Sequence, residues 1–310
     1  MSKQAKQPII ALTGASGFVG KKVLESLLPQ NVLIKALIRP ASVSKCIQSD
    51  KINWIEGELG NPVSETRLCA GADIVIHMAG LVTARTKKDY YRVNATAVGE
   101  LTQAAARAGV KRFVYLSSLA SRHPNLSDYA GSKRAGEGAL ARKMGAMKGV
   151  VIRAPAVFGA GDKATAPFYA LIKKGYLPAP GGHNWAARKI SLVHVDDLAA
   201  FITKQALSGD SDGRTVSLST RASITWPEFA AECEAAIGKK VKVIRVPLAL
   251  LYPVAGMTSV TKRTLGLGHL TLGKLREFLY EDWSVDAEFQ TGTDLQKALR
   301  ATINEDSLLQ

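Results

Sequence analysis

Short apolar runs alternate with helical patterns through the first half of the chain. Runs of apolar residues that are bounded by turn residues predict strands, and apolar residues at helical spacing predict helices. Continuous apolar strands alternating with helices are typical of a parallel sheet with helices on both faces, so we expect an α/β fold with a doubly wound parallel sheet. The predicted elements are strands at Ile9–Leu12, Val32–Ile38, Ile52–Ile55, Asp73–His77, Phe113–Leu116 and Val150–Ile152, and helices at Phe18–Leu28, Tyr90–Ala108 and Asp128–Met147.

The alternation ends after Ala154, where prolines and glycines divide the chain into loops and short helices. The pattern becomes helical again just after His194. From Lys240 onward the chain is basic and mostly helical, with one strand-like run at Val241–Val246. We therefore expect a sheet domain at 1–154, to which 187–225 return, and a smaller, mostly helical C-terminal region made of 155–186 and 226–310.

Composition excludes several classes of protein. The chain has 310 residues, of which 46% are apolar and 22% charged, which supports a sizeable core and excludes a disordered or collagen-like chain. The three cysteines lie far apart without a Cys-x-x-Cys pair, so we expect neither a disulfide scaffold nor a metal site. No apolar segment typical of a secretory signal follows Met1–Gln7, and we expect a cytoplasmic protein.

A net charge of +15 indicates anionic partners such as nucleotides, nucleic acid or a membrane surface. The basic residues stand in twos and threes without interleaved aromatics, as in Lys173-Lys174 and Lys239-Lys240. This distribution favours a solvated basic surface, and we expect no nucleic-acid partner.

A glycine-rich turn follows the first predicted strand and opens the first predicted helix. Glycine is required where the backbone turns sharply or approaches a pyrophosphate, and a helix N-terminus offers free N–H groups to phosphates. The turn therefore predicts a dinucleotide site at the start of a Rossmann-type sheet. Its candidate binding residues are Thr13, Gly14, Ser16, Gly17, Phe18, Val19 and Gly20.

The second predicted strand ends in Arg39. An acidic residue at this point hydrogen-bonds the ribose of NAD, whereas an arginine can pair with a 2′-phosphate. We therefore expect NADP(H) as the preferred cofactor, with NAD(H) as the alternative. The competing interpretation makes Arg39 a surface base that stacks on adenine.

Tyr129 and Lys133 stand four residues apart on a predicted helix and so share one face. A phenol is a poor acid–base catalyst at neutral pH, but a neighbouring ammonium favours the phenolate. Ser118 ends the fifth strand, at the sheet edge where open α/β sheets bind ligands. Its hydroxyl is placed to hold a substrate oxygen during hydride transfer.

The Thr-Gly-x-x-Gly-x-x-Gly turn, Ser118 and the Tyr129-x-x-x-Lys133 spacing together resemble the extended branch of the short-chain dehydrogenase/reductase family. The resemblance implies that Ser118 is the catalytic serine, that Tyr129 is the acid/base, and that Lys133 also holds the nicotinamide ribose. It adds Asn94 to the catalytic set. It further implies cofactor contacts at Glu58, Leu59, Met78, Ala79, Gly80 and Pro155.

Two other segments resemble signatures of the extended branch. Arg153–Asp162 is similar to its Arg-Pro-x-x-Val-Tyr-Gly-Pro-Gly-Asp motif, and Val193–Ala199 to a motif that begins a helix. Asp196 or Asp197 is then placed as a carboxylate at a helix N-terminus. We expect His194 to be structural rather than catalytic, because no nucleophile motif accompanies it.

Two departures bear on the substrate. Tyr129 follows Ser118 by only eleven positions, an interval much shorter than in most nucleotide-sugar epimerases. Ala154-Pro155 stands where sugar-nucleotide enzymes commonly carry an asparagine. Both favour a reductase of carbonyls or a dehydrogenase of ring alcohols. The alternatives are a nucleotide-sugar epimerase or dehydratase and, outside enzymes, a nucleotide-sensing or assembly protein.

The substrate is expected to be a small molecule bound by the C-terminal region. Candidate lining residues are Tyr169, Tyr176, His183, Trp185, Arg188 and Lys189. The apolar run Val246–Val260, followed by Lys262-Arg263, favours a packed helix beside this pocket, with contact to a membrane surface as the alternative. The resemblance also implies a homodimer that pairs through the two long helices of the sheet domain.

Overall fold

The computed structural model describes residues 7–162, 165–265, 271–286 and 289–305. Residues 1–6 and the side chains of Val260, Lys262 and Arg263, which entered the expectations above, lie outside this described part. Within these ranges the chain folds into two compact units. The first takes in the chain up to Pro124, then Tyr129–Arg153 and Ala199–Val216, and the second takes in the remaining segments.

A seven-stranded sheet forms the centre of the first unit, in the order β3-β2-β1-β4-β5-β6-β10. The strand β1 lies between β2 and β4 and runs parallel to both, with Ile10 opposite Ile34 and Ile74. The order reverses at β1, as in Rossmann-type sheets, so the doubly wound parallel sheet is confirmed. The strands are β1 Ile9–Thr13, β2 Leu33–Ile38, β3 Ile52–Glu56, β4 Ile74–His77, β5 Arg112–Ser118, β6 Lys148–Ala154 and β10 Thr215–Val216.

Helices cover this sheet, and the core beneath them includes the fully buried Val75, Leu101 and Phe113. Short 3-10 turns lie at Pro40–Lys45 and Leu119–Arg122. The helices that belong wholly or in part to this unit are α1 Phe18–Leu27, α2 Pro62–Cys69, α3 Lys87–Tyr91, α4 Ala97–Arg107, α5 Asp128–Lys143 and α7 Val195–Ser208.

The helix predicted over Tyr90–Ala108 differs in the structure. It begins earlier, at a Thr86 capping box, and a π-helical turn at Arg92–Thr96 separates α3 from α4. A π-helical turn contains one residue more than an α-helical turn, and such turns are frequent at functional sites. The helix predicted over Asp128–Met147 ends at Lys143, because Gly145 adopts a positive φ of 58° and closes the helix.

The second unit combines helices with two small sheets, of which the first has the order β11-β9-β7 and the second pairs β12 with β8. Of these strands, only β12 was predicted. The helices pack around Leu177, Phe229 and Leu299. The elements are β7 Ala156–Phe158, α6 Ala166–Lys173, β8 Tyr176–Pro180, β9 Lys189–His194, β11 Arg221–Thr225, α8 Trp226–Ile237, β12 Lys242–Val246, α9 Leu248–Leu265, α10 Leu272–Leu279 and α11 Leu295–Glu305.

Among the helices in the described ranges, none has both the length and the apolar character needed to cross a membrane.

Candidate active site

The glycine turn joins β1 to α1 and leaves no room for side chains at two positions. Gly14 has a φ of +80°, and a Cβ atom there would lie 2.7 Å from the backbone nitrogen of Ala79. A Cβ atom on Gly20 would lie closer than 3.0 Å to the carbonyl oxygen of Gly14. The helix N-terminus therefore packs directly on the turn. Within the described part of the chain no side chain caps α1, so the N–H groups of its first turn remain available to an anion.

Thr13 anchors the turn to the end of β4. Its hydroxyl lies 2.7 Å from Nδ1 of His77 and accepts a 3.3 Å hydrogen bond from the backbone N–H of Ala79. The N–H of Met78 donates to the carbonyl of Thr13 over 3.2 Å. The expected cofactor residues that follow β1 and those that follow β4 are thus held against each other at one edge of the sheet. The residues that follow β4 end with Gly80, which is exposed.

His77 ends β4, and no role was expected for it from the sequence. It is fully buried and stacks on Tyr115, with ring centroids 5.5 Å apart. Burial, reinforced by the positive charge of Lys133, lowers the pKa of His77 to about 3. The imidazole is therefore neutral near pH 7 and serves as a hydrogen-bond partner for Thr13.

Arg39 and the Glu58-Leu59 pair follow β2 and β3, the strands next to β1. Arg39 is exposed directly after β2, Glu58 is exposed, and Leu59 packs partly against the core. Because the strands are parallel, their carboxyl ends meet at the same sheet edge as the glycine turn. The structure therefore brings these residues to the edge where the sequence predicted the adenosine end of a dinucleotide.

Asn94 lies inside the π-helical turn and is buried. Its Oδ1 accepts from the backbone N–H of Leu81 over 2.8 Å, and its Nδ2 donates to the carbonyl of Leu81 over 2.9 Å. Nδ2 also donates to the hydroxyl of Ser132 over 3.0 Å. Asn94 thus ties the segment after β4 to α5, one residue before Lys133. Asn94, which was expected in the catalytic set, is therefore hydrogen-bonded to the helix that carries Lys133.

Lys133 is buried in the first unit. Its Nζ donates to the carbonyl of Leu116 over 2.8 Å and lies 4.6 Å from the ring centre of Tyr115. Burial lowers the pKa of Lys133 to about 8, although the negative charge of Glu137 acts against the shift. Tyr129 stands one helical turn earlier on α5. It is half-buried, with its ring 6.3 Å from that of Tyr90.

The two serines at the end of β5 are distinguished by their surroundings. Ser117 is buried, and its hydroxyl donates to Glu137 over 2.6 Å. Ser118 is only partly buried, and its hydroxyl accepts from the backbone N–H of Ala120 over 3.2 Å. That hydroxyl keeps its proton for donation. The geometry therefore supports the choice of Ser118 over Ser117 as the serine that meets a substrate.

Glu137 was missed by the sequence analysis. It receives two hydrogen bonds from Arg153, at 2.9 and 2.6 Å, and one each from the hydroxyls of Ser117 and Ser121, both at 2.6 Å. Burial raises the pKa of Glu137, but these hydrogen bonds outweigh burial and leave the pKa below its ordinary value. The signal was present in the sequence, since Glu137 follows Lys133 by four residues on the same predicted helix.

The remaining predicted residues belong to the second unit. Pro155 follows β6, and His194 contacts Phe158 edge-on with ring centroids 5.2 Å apart. Asp197 accepts hydrogen bonds from three threonine hydroxyls at 2.7 to 2.8 Å, so its carboxylate is held within the unit. Arg188 is buried and donates to the carbonyl of Gly181 over 2.9 Å.

The substrate-lining candidates differ in exposure and contacts. Tyr169 is buried, whereas Tyr176 is 47% exposed. The guanidinium carbon of Arg245 lies over the ring of Trp185, 5.6 Å from the ring centre. Among the described residues, no group of three or more His, Cys, Asp or Glu side chains is arranged to hold a metal ion.

Comparison with known proteins gives a family. The model of the NAD dependent epimerase/dehydratase family matches residues 10–217, more than half of the chain. A curated relative, the ceramide reductase of Caulobacter vibrioides, is 32% identical over 281 residues, which cover 89% of this chain and 86% of that protein. The UDP-glucose 4-epimerase of Vibrio cholerae is 26% identical over 311 residues, with 91% and 92% covered.

A solved structure shares the fold. The Bordetella bronchiseptica enzyme WbmG in complex with NAD and UDP superposes with a TM-score of 0.72 at 16% identity, covering 98% of this chain and 96% of that one. The extended short-chain dehydrogenase/reductase architecture expected from the sequence is therefore confirmed, and the chain belongs to the NAD-dependent epimerase/dehydratase family.

Proposed function

We propose that the protein reduces a ketone to a secondary alcohol with NADPH, or catalyses the reverse oxidation. The observation that carries the proposal is the buried Lys133 ammonium, one helical turn from Tyr129 and in the same unit as Ser118 and the glycine turn. A bound nicotinamide would supply the hydride. The side chains needed to manage the accompanying proton belong to this chain.

The acid–base roles follow from the chemistry of the three side chains. The Tyr129 hydroxyl gives its proton to the substrate oxygen as that oxygen becomes negative. The positive charge of Lys133 favours the phenolate that remains. The Ser118 hydroxyl donates a hydrogen bond to the same oxygen and holds it in place. The hydrogen bond from Asn94 to Ser132 holds α5 in place, and the carbonyl of Leu116 holds the ammonium of Lys133.

The glycine turn supports a dinucleotide at this site. Both Gly14 and Gly20 stand where a Cβ atom would collide with backbone, and the uncapped N-terminus of α1 suits a pyrophosphate. The exposed Arg39 at the end of β2 supports NADP(H) over NAD(H), because its guanidinium can pair with a 2′-phosphate. We expect the preference to be measurable as a ratio of the two dissociation constants.

The substrate class is proposed from the relatives and from the loop length. The ceramide reductase relative has the higher identity of the two curated relatives above, over most of both chains, which supports an apolar, lipid-like ketone. The interval of eleven positions from Ser118 to Tyr129 supports a reductase or a dehydrogenase over a nucleotide-sugar epimerase. A nucleotide-sugar epimerase is the second candidate, supported by the Vibrio cholerae relative.

One experiment separates the two candidates. Freshly purified protein is denatured, any released nucleotide is identified, and empty protein is titrated with NADPH and NADH. A reductase must exchange its cofactor in each turnover. It is therefore expected to be purified without nucleotide, to bind NADPH more tightly than NADH, and to oxidise NADPH when a long-chain ketone is added. Stoichiometric NAD(H) carried through purification, together with epimerisation of a UDP-sugar, would contradict the reductase proposal.

A variant ties the activity to the proposed site. Tyr129→Phe removes the proton donor without changing the ring, so we expect a loss of turnover of about a hundredfold or more. NADPH affinity is expected to stay within about twofold of the parent protein. Full turnover in this variant would show that Tyr129 is not the acid.

A further inference from the structure

Helix α9 exposes a stripe of apolar side chains. Leu250, Val254 and Met257 are 61%, 44% and 64% exposed, and the exposed Pro253 lies between them. Positions separated by three, four and seven residues fall on the same face of a helix. These four residues, named here the α9 stripe, therefore form one continuous apolar surface facing solvent.

The opposite side of α9 is already used by the protein. Ala255 is buried and Leu251 is half-buried, and α10 packs against the helix. Apolar residues on the packed face are explained by the core of the unit. Apolar residues on the second face have no such explanation, and an exposed apolar patch marks an interaction surface.

The chain around α9 carries positive charge and no negative charge. Between Glu234 and Glu277 the sequence has eight lysines and arginines and neither aspartate nor glutamate. Among them, Lys242 and Arg245 are exposed on β12, which ends two residues before α9 begins. Lys239 and Lys240 are exposed directly before that strand. These four residues are named here the basic flank.

We propose that the α9 stripe and the basic flank dock the protein on the surface of an anionic phospholipid membrane. The stripe would enter the boundary between headgroups and acyl chains, while the basic side chains meet the phosphates. Charge decides between this partner and a second copy of the chain. Pairing two molecules of net charge +15 through this surface would bring two basic flanks together, whereas an anionic bilayer neutralises them.

Docking and the proposed reaction are separate claims. Membrane binding depends on α9 and β12, whereas the proposed chemistry depends on the first unit. Because vesicle binding is measured without ketone or cofactor, failure of one claim leaves the other standing. If both hold, the protein meets a lipid-like substrate at the surface where that substrate resides.

The test uses the full-length protein and sedimentation with vesicles. We expect vesicles of phosphatidylglycerol mixed equally with phosphatidylcholine to retain the protein, and vesicles of phosphatidylcholine alone to retain at least about tenfold less. Each basic residue near an anionic surface contributes about fivefold to binding. Raising the salt concentration to 1 M, where the Debye length falls to about 3 Å, is therefore expected to release most of the protein.

Variants separate the stripe from exposed apolar residues in general. Replacing both Leu250 and Met257 by serine is expected to lower vesicle binding on the order of tenfold. The matched control is Val63→Ser on α2, whose side chain is 69% exposed in the first unit, and which should bind as the parent protein does. Circular dichroism and NADPH titration verify that each variant is folded.

Three outcomes would overturn the proposal. The first is equal binding to neutral and anionic vesicles, or binding to neither. The second is a doubly substituted variant that binds like the Val63→Ser control. The third is a lower molecular mass in solution, without lipid, for the doubly substituted variant than for the parent protein. That result would mean that the α9 stripe is an interface between two copies of the chain.

Discussion

At the scale of the single residue, the burial of Lys133 carries a dependence on pH. The native lysine loses its proton near pH 8, whereas an unfolded chain keeps it to about pH 10.5. Between these values the unfolded state binds more protons, so stability rises with pH. The cost of burying the ammonium, about 3 kcal/mol, is present below pH 8 and disappears toward pH 10.5.

The substitution Lys133→Met removes this dependence. We expect the free energy of unfolding of the parent protein, measured relative to the variant, to rise by about 2 kcal/mol between pH 7 and pH 10. Urea unfolding of both proteins without cofactor provides the measurement, and the subtraction cancels groups that titrate in both. A constant difference across this range would mean that the lysine is not desolvated.

The exposed position of Arg39 predicts a change of cofactor preference. Arg39→Asp replaces a partner for a 2′-phosphate by a carboxylate that repels it and can hydrogen-bond the ribose of NAD. We expect NADPH to bind about a hundredfold more weakly and NADH to bind equally or better. Titration of both cofactors checks this, and Arg85→Asp, an exposed site elsewhere in the same unit, controls for the change in net charge.

At the scale of the element, two glycines of α5 differ in what a methyl group would meet. A Cβ atom at Gly136 would lie closer than 3.0 Å to the carbonyl oxygen of Asn94, whereas at Gly138 the nearest atom belongs to the flexible end of Arg142. We expect Gly136→Ala to lower the free energy of unfolding by about 2 kcal/mol, because α5 must move away from the π-helical turn.

The matched substitution on the same helix has the opposite sign. Gly138→Ala is expected to stabilise the protein by about 0.5 kcal/mol, since alanine is the better helix former and nothing rigid stands in its way. Urea unfolding of both variants measures the two effects. Equal effects would mean that α5 and the π-helical turn are not in close contact.

Glu137 joins elements that sequence distance keeps apart, namely β5, α5 and β6. Glu137→Gln leaves the guanidinium of Arg153, whose side chain is 17% exposed, without its anionic partner, and we expect a loss of about 3 kcal/mol in the free energy of unfolding. Arg134, which also pairs with Glu137, is 55% exposed on its side chain. Arg134→Ala should therefore cost less than about 1 kcal/mol in the same urea measurement.

The elements that the sequence predicted well are the central strands. β1 to β6 begin and end within two residues of their predicted bounds, because strands buried on both faces must be continuously apolar and are easily recognised. The strand β8 escaped prediction because Pro178 and Pro180 argue against a strand. Among the described strands, β8 pairs with β12 alone. The two prolines lack a backbone N–H group, but no second neighbouring strand needs a hydrogen bond from them.

The candidate site was predictable to a different degree. The residues that were predicted for the site were found from local sequence patterns. Tyr129 and Lys133 have the helical spacing of four, and Ser118 stands at the end of a strand. The bond between Glu137 and Arg153 joins residues 16 apart and depends on how α5 lies on the sheet, which no local pattern records. The same holds for the hydrogen bond from Asn94 to Ser132. The catalytic roles themselves stay predictions until the variants are measured.

At the scale of the whole molecule, the cofactor is expected to act as a stabiliser. A ligand that binds only the native state at a hundredfold excess over its dissociation constant adds about 2.7 kcal/mol to the free energy of unfolding. We expect NADPH to give this increase in urea unfolding and NADH at the same concentration to give clearly less. Equal stabilisation by both would remove the proposed role of the 2′-phosphate.

The π-helical turn at Arg92–Thr96 makes chain length a variable in its own right. A π-helical turn holds one residue more than an α-helical turn, so deleting one residue here leaves an α-helical turn, and α3 and α4 keep their orientation about the helix axis. An α-helix rotates by about 100° and rises by about 1.5 Å for each residue, so a deletion within α4 would instead rotate everything beyond the cut. We therefore expect deletion of Ala95 to disturb the packing of α3 and α4 less than deletion of Ala104 does. The π-helical turn is thus the place along this helix where a change in chain length can be absorbed.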